Sequence, residues 1–314
     1  MKVFRYLSIF LVVLVLFSCK KFKGTQEIPS YVRVEPWTFT TDYRIYGAAT
    51  HAITDAWLYV DGNLLGCYEI QSHDDGKYVM IPVLEKGSHK LQIYPGIKMN
   101  GIASTRIQYP FYKPFVITSD LTPGEIQTVD PSTVYYSIDS TSMRFEMKQD
   151  FEEINNMFAA NADVKIDTSF SKAVMKQRSH RTDPNAWMDP NDTLNHYRSA
   201  RVQLNDSIRR FRLASRELRD LPAVGNYVLL ELDYKCDEDF LFGMFVHTSQ
   251  NGIWAKELYW VKATDTWKKI YLNMSPTVTD NYNADYLKFY FEGYAGTADS
   301  TNFYFDNIKL IYRE

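Results

Sequence analysis

Residues 227–234 of the chain are Tyr-Val-Leu-Leu-Glu-Leu-Asp-Tyr, and residues 240–247 are Phe-Leu-Phe-Gly-Met-Phe-Val-His. Such runs of apolar, β-branched and aromatic residues favour extended strands. Four similar runs follow, separated by clusters of Gly, Asn, Asp, Ser and Pro, at residues 257–261, 267–272, 286–291 and 302–312. Strands at this spacing are typical of an antiparallel sandwich or jelly roll.

The bulk composition fits a two-domain protein without an obvious enzyme signature. A chain of 314 residues is long enough for two cores, and its net charge of −3 gives no basic field, so we predict no nucleic-acid partner. The three cysteines are too few for a disulfide framework, and we expect Cys67 and Cys236 to be buried and unpaired. The sequence contains no GxSxG, HExxH, Walker A or GxGxxG pattern, and we predict that the protein is not an enzyme.

The N-terminal segment has the features of an export signal. Lys2 and Arg5 precede an apolar run over residues 7–17, which is too short to span a bilayer comfortably. The run ends in Leu16-Phe-Ser-Cys19, which resembles the lipobox of bacterial lipoproteins. The resemblance implies a lipoprotein signal peptide over residues 1–19. It also implies that Cys19 is acylated, with palmitate among the acyl chains, and becomes the mature N-terminus.

A short polar tether, residues 20–27, follows the lipobox and carries three lysines. In lipoproteins of the Bacteroidetes type, an acidic cluster after the cysteine resembles a surface-export signal. Because this tether is basic, the resemblance implies a lipid-anchored outer-membrane protein that faces the periplasm. Several acyl chains together give stable anchoring, whereas one chain is marginal.

The first predicted domain covers residues 28–137. The arrangement Val60-Asp-Gly-x-x-x-Gly66, followed by Leu84-x-x-Gly87-x-His89-x-Leu91-x-Ile93, resembles a PEGA-type domain. This resemblance implies a small Ig-like or PEGA-like β-sandwich of an extracytoplasmic protein.

An aromatic loop interrupts the PEGA-like pattern. It carries four rings with two prolines among them, at Tyr109, Phe111, Tyr112 and Phe115. Such a cluster is typical of a surface that docks a protein partner. The alternative is a packed loop that covers one end of the sandwich.

The second predicted domain covers residues 140–314. Asp150-Phe-Glu152 near its start, Trp267–Leu272 in its middle and Phe305–Leu310 near its end resemble the galactose-binding-like jelly roll of carbohydrate-binding modules. The resemblance implies an all-β fold with two β-sandwich domains in the chain. It also implies that Glu152 and Asp306 help to hold a structural calcium ion, the alternative being a hydrogen-bonded pair of strand-end carboxylates.

An arginine-rich stretch, residues 192–221, fits two interpretations. Its apolar residues fall near helical spacing, but residues 208–213 alternate as in a strand. Because a jelly roll needs strands here, we favour strands.

Four aromatic residues are candidates for stacking on a glycan: Trp254, Tyr259, Trp260 and Trp187. Trp254 follows the turn signal Asn251-Gly252, so we expect its ring to stay exposed near a strand end. Alternation places Trp267, Lys269 and Tyr271 on the opposite face from Lys268, Ile270 and Leu272, and we expect Trp267 to be mainly buried.

Two functions compete at this point. In the first, the protein is a non-catalytic cell-envelope lipoprotein that binds a polysaccharide through the aromatic residues of its jelly roll. In the second, it is an accessory subunit of an outer-membrane protein complex for secretion, gliding motility or nutrient uptake. The aromatic loop at residues 109–115 and the arginine-rich stretch would then contact the protein partner.

Overall fold

The computed structural model describes residues 27–70, 79–152, 175–188, 196–223 and 225–314. The helices of these residues are three short segments, α1 (Tyr43–Tyr46), α2 (Ile138–Thr141) and α3 (Ser275–Asp280), and strands form the rest of the regular structure. The all-β fold predicted from the sequence is therefore confirmed. No helix in the described part of the chain is long and apolar enough to cross a membrane. Cys19 and most of the tether lie outside the described residues.

The first domain is a small sandwich of two facing sheets. Its strands are β1 (Ser30–Val34), β2 (Thr38–Phe39), β3 (Asp55–Val60), β4 (Asn63–Glu69), β5 (Val79–Val83), β6 (Gly87–Lys98), β7 (Arg106–Gln108), β8 (Phe115–Leu121), β9 (Ile126–Val129) and β10 (Ser132–Thr133). One sheet has the order β5-β1-β9; the other has the order β4-β3-β6-β7, with β8 also paired to β6. Buried residues from both sheets, such as Val32, Leu58 and Ile93, form one core.

The second domain is a larger sandwich. Its strands are β11 (Met143–Gln149), β12 (Lys176–Ser179), β13 (Arg198–Asn205), β14 (Arg210–Ala214), β15 (Val228–Cys236), β16 (Phe240–Thr248), β17 (Gly252–Val261), β18 (Thr264–Asn273), β19 (Tyr286–Tyr294) and β20 (Ser300–Arg313). A six-stranded sheet has the order β12-β13-β20-β15-β18, with β11 also on β20, and faces a four-stranded sheet of order β14-β19-β16-β17. Phe291 and Phe305, one from each sheet, stack with ring centroids 4.9 Å apart.

The described part of the arginine-rich stretch contains two strands, as favoured, and no helix. β13 pairs with β20, and β14 pairs with β19, both antiparallel. Val202, Leu204, Phe211 and Leu213 face the core. Pairing with these buried neighbours outweighs the helical spacing of the isolated sequence.

The first domain covers part of the outer face of the six-stranded sheet. The backbone oxygen of Tyr271 in β18 accepts a 2.7 Å hydrogen bond from the amide of Asn100, and the Tyr271 hydroxyl accepts one of 3.0 Å from the amide of Ala52. Buried rings of both domains surround these bonds and make a third hydrophobic core. The two domains therefore share a packed interface.

The aromatic loop lies inside this interface, which corrects its proposed role as a docking surface. Tyr109, Phe111 and Tyr112 are at most 2% exposed. Phe115 begins β8, is partly buried and packs on the core of the first domain. The rings of Tyr109, Phe111 and Tyr112 make their contacts within the chain, so a separate protein partner cannot reach them unless the domains separate.

Charged side chains are buried at the same interface. Lys269 Nζ lies 3.1 Å from Glu231 Oε2 and 3.5 Å from Asp233 Oδ1. Lys309 Nζ donates to the backbone oxygen of Ala48 at 2.7 Å and to the hydroxyl of Tyr135 at 3.3 Å. Burial opposes the charge of Glu231, but the two lysines and two tyrosine hydroxyls bring its pKa below its ordinary value. Burial lowers the pKa of Lys309 to about 7.

Candidate functional site

The four glycan-binding candidates do not form one site. Trp260 lies opposite Leu241, which is on the outer face of the four-stranded sheet. Trp254 lies opposite Val246, which is in the core, so the two tryptophans leave the edge strand β17 on opposite faces. Trp260 is 53% exposed and Trp254 is 37% exposed. The expected exposure of Trp254 is found, but it does not share a surface with Trp260.

Tyr259 and Trp187 are placed away from Trp260. The ring of Tyr259 is half-buried and lies parallel to Phe242, with centroids 6.4 Å apart, so it belongs to the edge of the core. Trp187 lies between β12 and β13, and its amide donates a 3.1 Å hydrogen bond to Ser199 Oγ. Neither ring joins a surface with Trp260.

Trp267 also differs from expectation. Ile270 and Leu272 do face the core, as alternation predicts, and Trp267 is on the other face. That face is the outer one, where the indole is partly exposed and its Nε1–H donates a 3.0 Å hydrogen bond to the backbone oxygen of Asn185. The ring therefore fastens a surface loop and does not fill the sandwich core.

A row of side chains crosses the outer face of the four-stranded sheet at Trp260. The pairing register places Trp260 of β17, Leu241 of β16, Glu292 of β19 and Arg212 of β14 side by side. Tyr294, two residues beyond Glu292 on β19, leaves the strand on the same side and is 45% exposed. Two exposed rings therefore share the outer face of this sheet with a charged pair, and we call these residues the outer row.

The polar centre of the outer row is held in place by short hydrogen bonds. Arg212 Nε donates to Glu292 Oε2 at 2.5 Å, and the Tyr294 hydroxyl donates to Glu292 Oε1 at 2.5 Å. The hydrogen bond to Glu292, followed by burial, raises the pKa of Tyr294. The side chain of Glu292 is almost fully buried, whereas that of Arg212 is partly exposed. Charge-assisted bonds of this kind fix the orientation of both groups.

A buried apolar floor supports the outer row. Leu241, Phe245 and Tyr290 pack together there, and the Arg212 guanidinium lies over the Tyr290 ring, 5.1 Å from its centroid. Gly243 lies beneath the Tyr290 ring, where a Cβ would overlap it. The floor keeps the neighbouring strands and the outer row in a fixed geometry.

The predicted calcium pair, Glu152 and Asp306, lies in an acidic region beside α1. Asp306 is buried; its Oδ1 accepts a 2.7 Å hydrogen bond from the amide of Asn307, and its Oδ2 has no partner among the described residues. Burial, followed by the nearby carboxylates of Asp233, Asp150 and Glu152, raises the pKa of Asp306 well above its ordinary value.

The geometry fits a cation only if backbone oxygens contribute. Glu152 Oε1 already accepts a 2.7 Å hydrogen bond from the amide of Arg198. No group of three or more His, Cys, Asp and Glu side chains arranged to hold a metal occurs in the described ranges. Asp306 Oδ2 is buried without a partner among the described residues, so it would be stabilised by a proton or by a cation. Oxygen donors of this type suit calcium.

No protein-family model and no curated protein matches the chain. One similar solved structure comes from work on the promiscuous specificity of carbohydrate-binding modules of the β-sandwich superfamily; it is 8% identical, with a TM-score of 0.32, over 82% of this chain and 84% of that chain. A xylan-binding domain from family 22 is 14% identical, with a TM-score of 0.34, over 56% and 96%. A family 11 carbohydrate-binding module from Clostridium thermocellum, in complex with a β-1,3-1,4-mixed-linked tetrasaccharide, is 13% identical, with a TM-score of 0.33, over 55% and 96%. The ligand must therefore be argued from this chain's own residues.

Proposed function

We propose that the protein is a non-catalytic glycan-binding protein and that the outer row is its binding surface. The observation that carries the proposal is that the exposed rings of Trp260 and Tyr294 share the outer face of the four-stranded sheet with the Arg212–Glu292 pair. Flat rings stack on the C–H faces of sugars, and the fixed guanidinium on the same face can donate to hydroxyl groups. The buried floor holds these groups in place before a ligand arrives, which reduces the entropy lost on binding.

A glycan array with the full chain, followed by calorimetric titration of the best ligand, tests this function. Trp260→Ala should weaken binding by roughly tenfold or more, as expected for an aromatic anchor, with little change in melting temperature. Trp254→Ala is the matched control, because it removes the same side chain from the opposite face of the same strand. Equal losses in both variants, or no glycan bound by the unmodified chain, would contradict the proposal.

We also propose that the protein is an outer-membrane lipoprotein that faces the periplasm, anchored through Cys19. The short apolar segment that ends in Leu16-Phe-Ser-Cys19 supports this location. Metabolic labelling with a palmitate analogue should mark the wild-type chain and leave Cys19→Ala unmarked. Labelling that survives the substitution would refute the anchor.

For the competing function, an accessory subunit of an outer-membrane complex, one of the two proposed contact surfaces is not accessible, whereas arginines of the other, such as Arg209 and Arg219, are exposed. The rings at Tyr109, Phe111 and Tyr112 are buried between the domains. Pull-down of the lipoprotein in detergent would separate the two functions, because only a subunit should bring down a stoichiometric protein partner.

We further propose a structural calcium ion at Asp306 and Glu152. The orphaned, buried oxygen of Asp306 supports it. The ion would neutralise one buried and one partly buried carboxylate and join β20 to the residues that follow β11, so its role would be stability and not catalysis.

A further inference from the structure

The outer face of the three-stranded sheet in the first domain is largely apolar. The register of β1 with β5 and β9 places two rows of three side chains there: Pro82, Tyr31 and Ile126 in one, and Met80, Arg33 and Thr128 in the other. The intervening residues, such as Val32 and Ile81, point inward and form the core. None of the six outward positions is a carboxylate. We call this surface the β1 face.

The large apolar side chains of the β1 face are well exposed. Met80 and Ile126 of the two rows, with Leu84 just after β5 and Ile28 just before β1, are between 44% and 63% exposed. Single exposed apolar residues are ordinary, but a cluster on one small sheet is typical of an interaction site. The contacts with the second domain are made by other residues, including Phe39, Met99 and Tyr109.

The chain enters the first domain at this face. Ile28 lies two residues before β1, the central strand of the face, and eight residue steps separate Cys19 from Glu27. Since an extended chain spans at most about 3.3–3.6 Å per residue, an anchor at Cys19 would hold Glu27 within roughly 29 Å of the acyl chains. A lipid anchor therefore holds the entry to β1, the central strand of the β1 face, near the bilayer.

We propose that the β1 face lies against the surface of the bilayer that holds the lipid anchor. The inference rests on the proposed acylation of Cys19. Met80, Leu84, Ile126 and Ile28 enter the boundary between headgroups and acyl chains, where apolar side chains are favoured. The second domain and its outer row are then held at a set orientation to the membrane, because the two domains share a packed interface.

Spin labelling of the full-length lipidated protein in vesicles of phosphatidylethanolamine and phosphatidylglycerol tests this orientation. Nitroxides would be attached after Met80→Cys and Ile126→Cys, with Asp299→Cys, an exposed residue of the second domain, as the control. Each variant would also carry Cys67→Ser, since that thiol is partly exposed and Cys236 is buried. Vesicle flotation reports anchoring, and thermal unfolding reports whether each variant folds.

The expected result is that labels at 80 and 126 collide with oxygen dissolved in the bilayer and are shielded from a water-soluble nickel complex. The label at 299 should show the reverse. Nickel access at 80 and 126 in protein that floats with the vesicles would overturn the orientation while leaving the anchor intact. Shielding from both reagents would mean that protein covers the face, and would also overturn it. Failure to float would refute the anchor itself, and with it this inference.

Discussion

The phenol of Tyr109, in the first domain, donates a 2.6 Å hydrogen bond to Glu231, a carboxylate of the second domain that is completely buried. Tyr135 donates to both oxygens of the same carboxylate at 2.8 and 2.9 Å, and Lys269 lies 3.1 Å away. The first domain thus supplies hydrogen bonds to a buried charge of the second domain. That charge would lose these partners if the domains separated. The two sandwiches are therefore coupled in folding.

Removing the central carboxylate should destabilise the whole chain. We expect Glu231→Ala to lower the free energy of unfolding by about 3–5 kcal/mol, because Lys269 and two hydroxyls lose a buried partner. Arg144→Ala is the control: it breaks the exposed Arg144–Glu314 ion pair, which water and salt screen, and should change stability little. Denaturant unfolding followed by fluorescence measures both. A Glu231→Ala variant as stable as the control would show that the interface does not depend on this charge.

Stability should rise with pH above neutrality because of Lys309. Its pKa is about 7 in the folded chain, against an ordinary lysine value near 10.5 when unfolded. Between these values the unfolded chain binds more protons, so the free energy of unfolding increases with pH, by up to about 1.4 kcal/mol per unit. Urea unfolding at pH 7, 8 and 9 measures the slope. Lys309→Met should flatten it, and an equal slope in that variant would assign the effect to other groups.

Gly243 should not tolerate a side chain. An added Cβ would overlap the buried Tyr290 ring, so we expect Gly243→Ala to cost about 1–3 kcal/mol of unfolding free energy through overpacking. Combining it with Tyr290→Leu should recover part of that loss, because the smaller side chain makes room. Strictly additive losses in this double-mutant cycle would show that the two positions do not interact.

Calcium should raise the melting temperature if Asp306 is a ligand. Binding at a free concentration one hundred times the dissociation constant would add about 2.7 kcal/mol to stability, and chelation with EDTA would remove it. Asp306→Asn should abolish the response to both reagents. If chelation has no effect, Asp306 is held protonated instead. Since its pKa is raised in the folded state, stability would then fall as pH rises from the ordinary carboxyl range through the raised pKa.

The strands themselves could be predicted from the sequence, but the faces of β17 could not. Regular alternation would put Trp254 and Trp260 on the same side, since they are six residues apart. A bulge in β17, opposite the step from Phe242 to Gly243, reverses the alternation between them. An extra residue in one strand leaves no clear mark in a single sequence, so the opposite faces of these two candidates could not be predicted.

The interface and the outer row could not be predicted from the sequence, for a different reason. Glu231, Lys269 and Lys309 sit at alternating strand positions that normally face water, so their charges gave no sign that another domain covers them. Tyr290, Glu292 and Tyr294 do alternate with apolar residues in the sequence, which marks one polar face of β19. Their approach to Arg212 and Trp260 depends on the order of four strands, and that order is a property of the whole fold.

β20 pairs with β11, β13 and β15, which precede it by between about 60 and 170 residues in the chain. A ribosome makes the chain from its N-terminus, so it can complete the first sandwich long before it makes this strand. The six-stranded sheet must wait for β20. During that interval the central position of this sheet is empty, and the strands beside it expose unpaired edges that a neighbouring chain could bind.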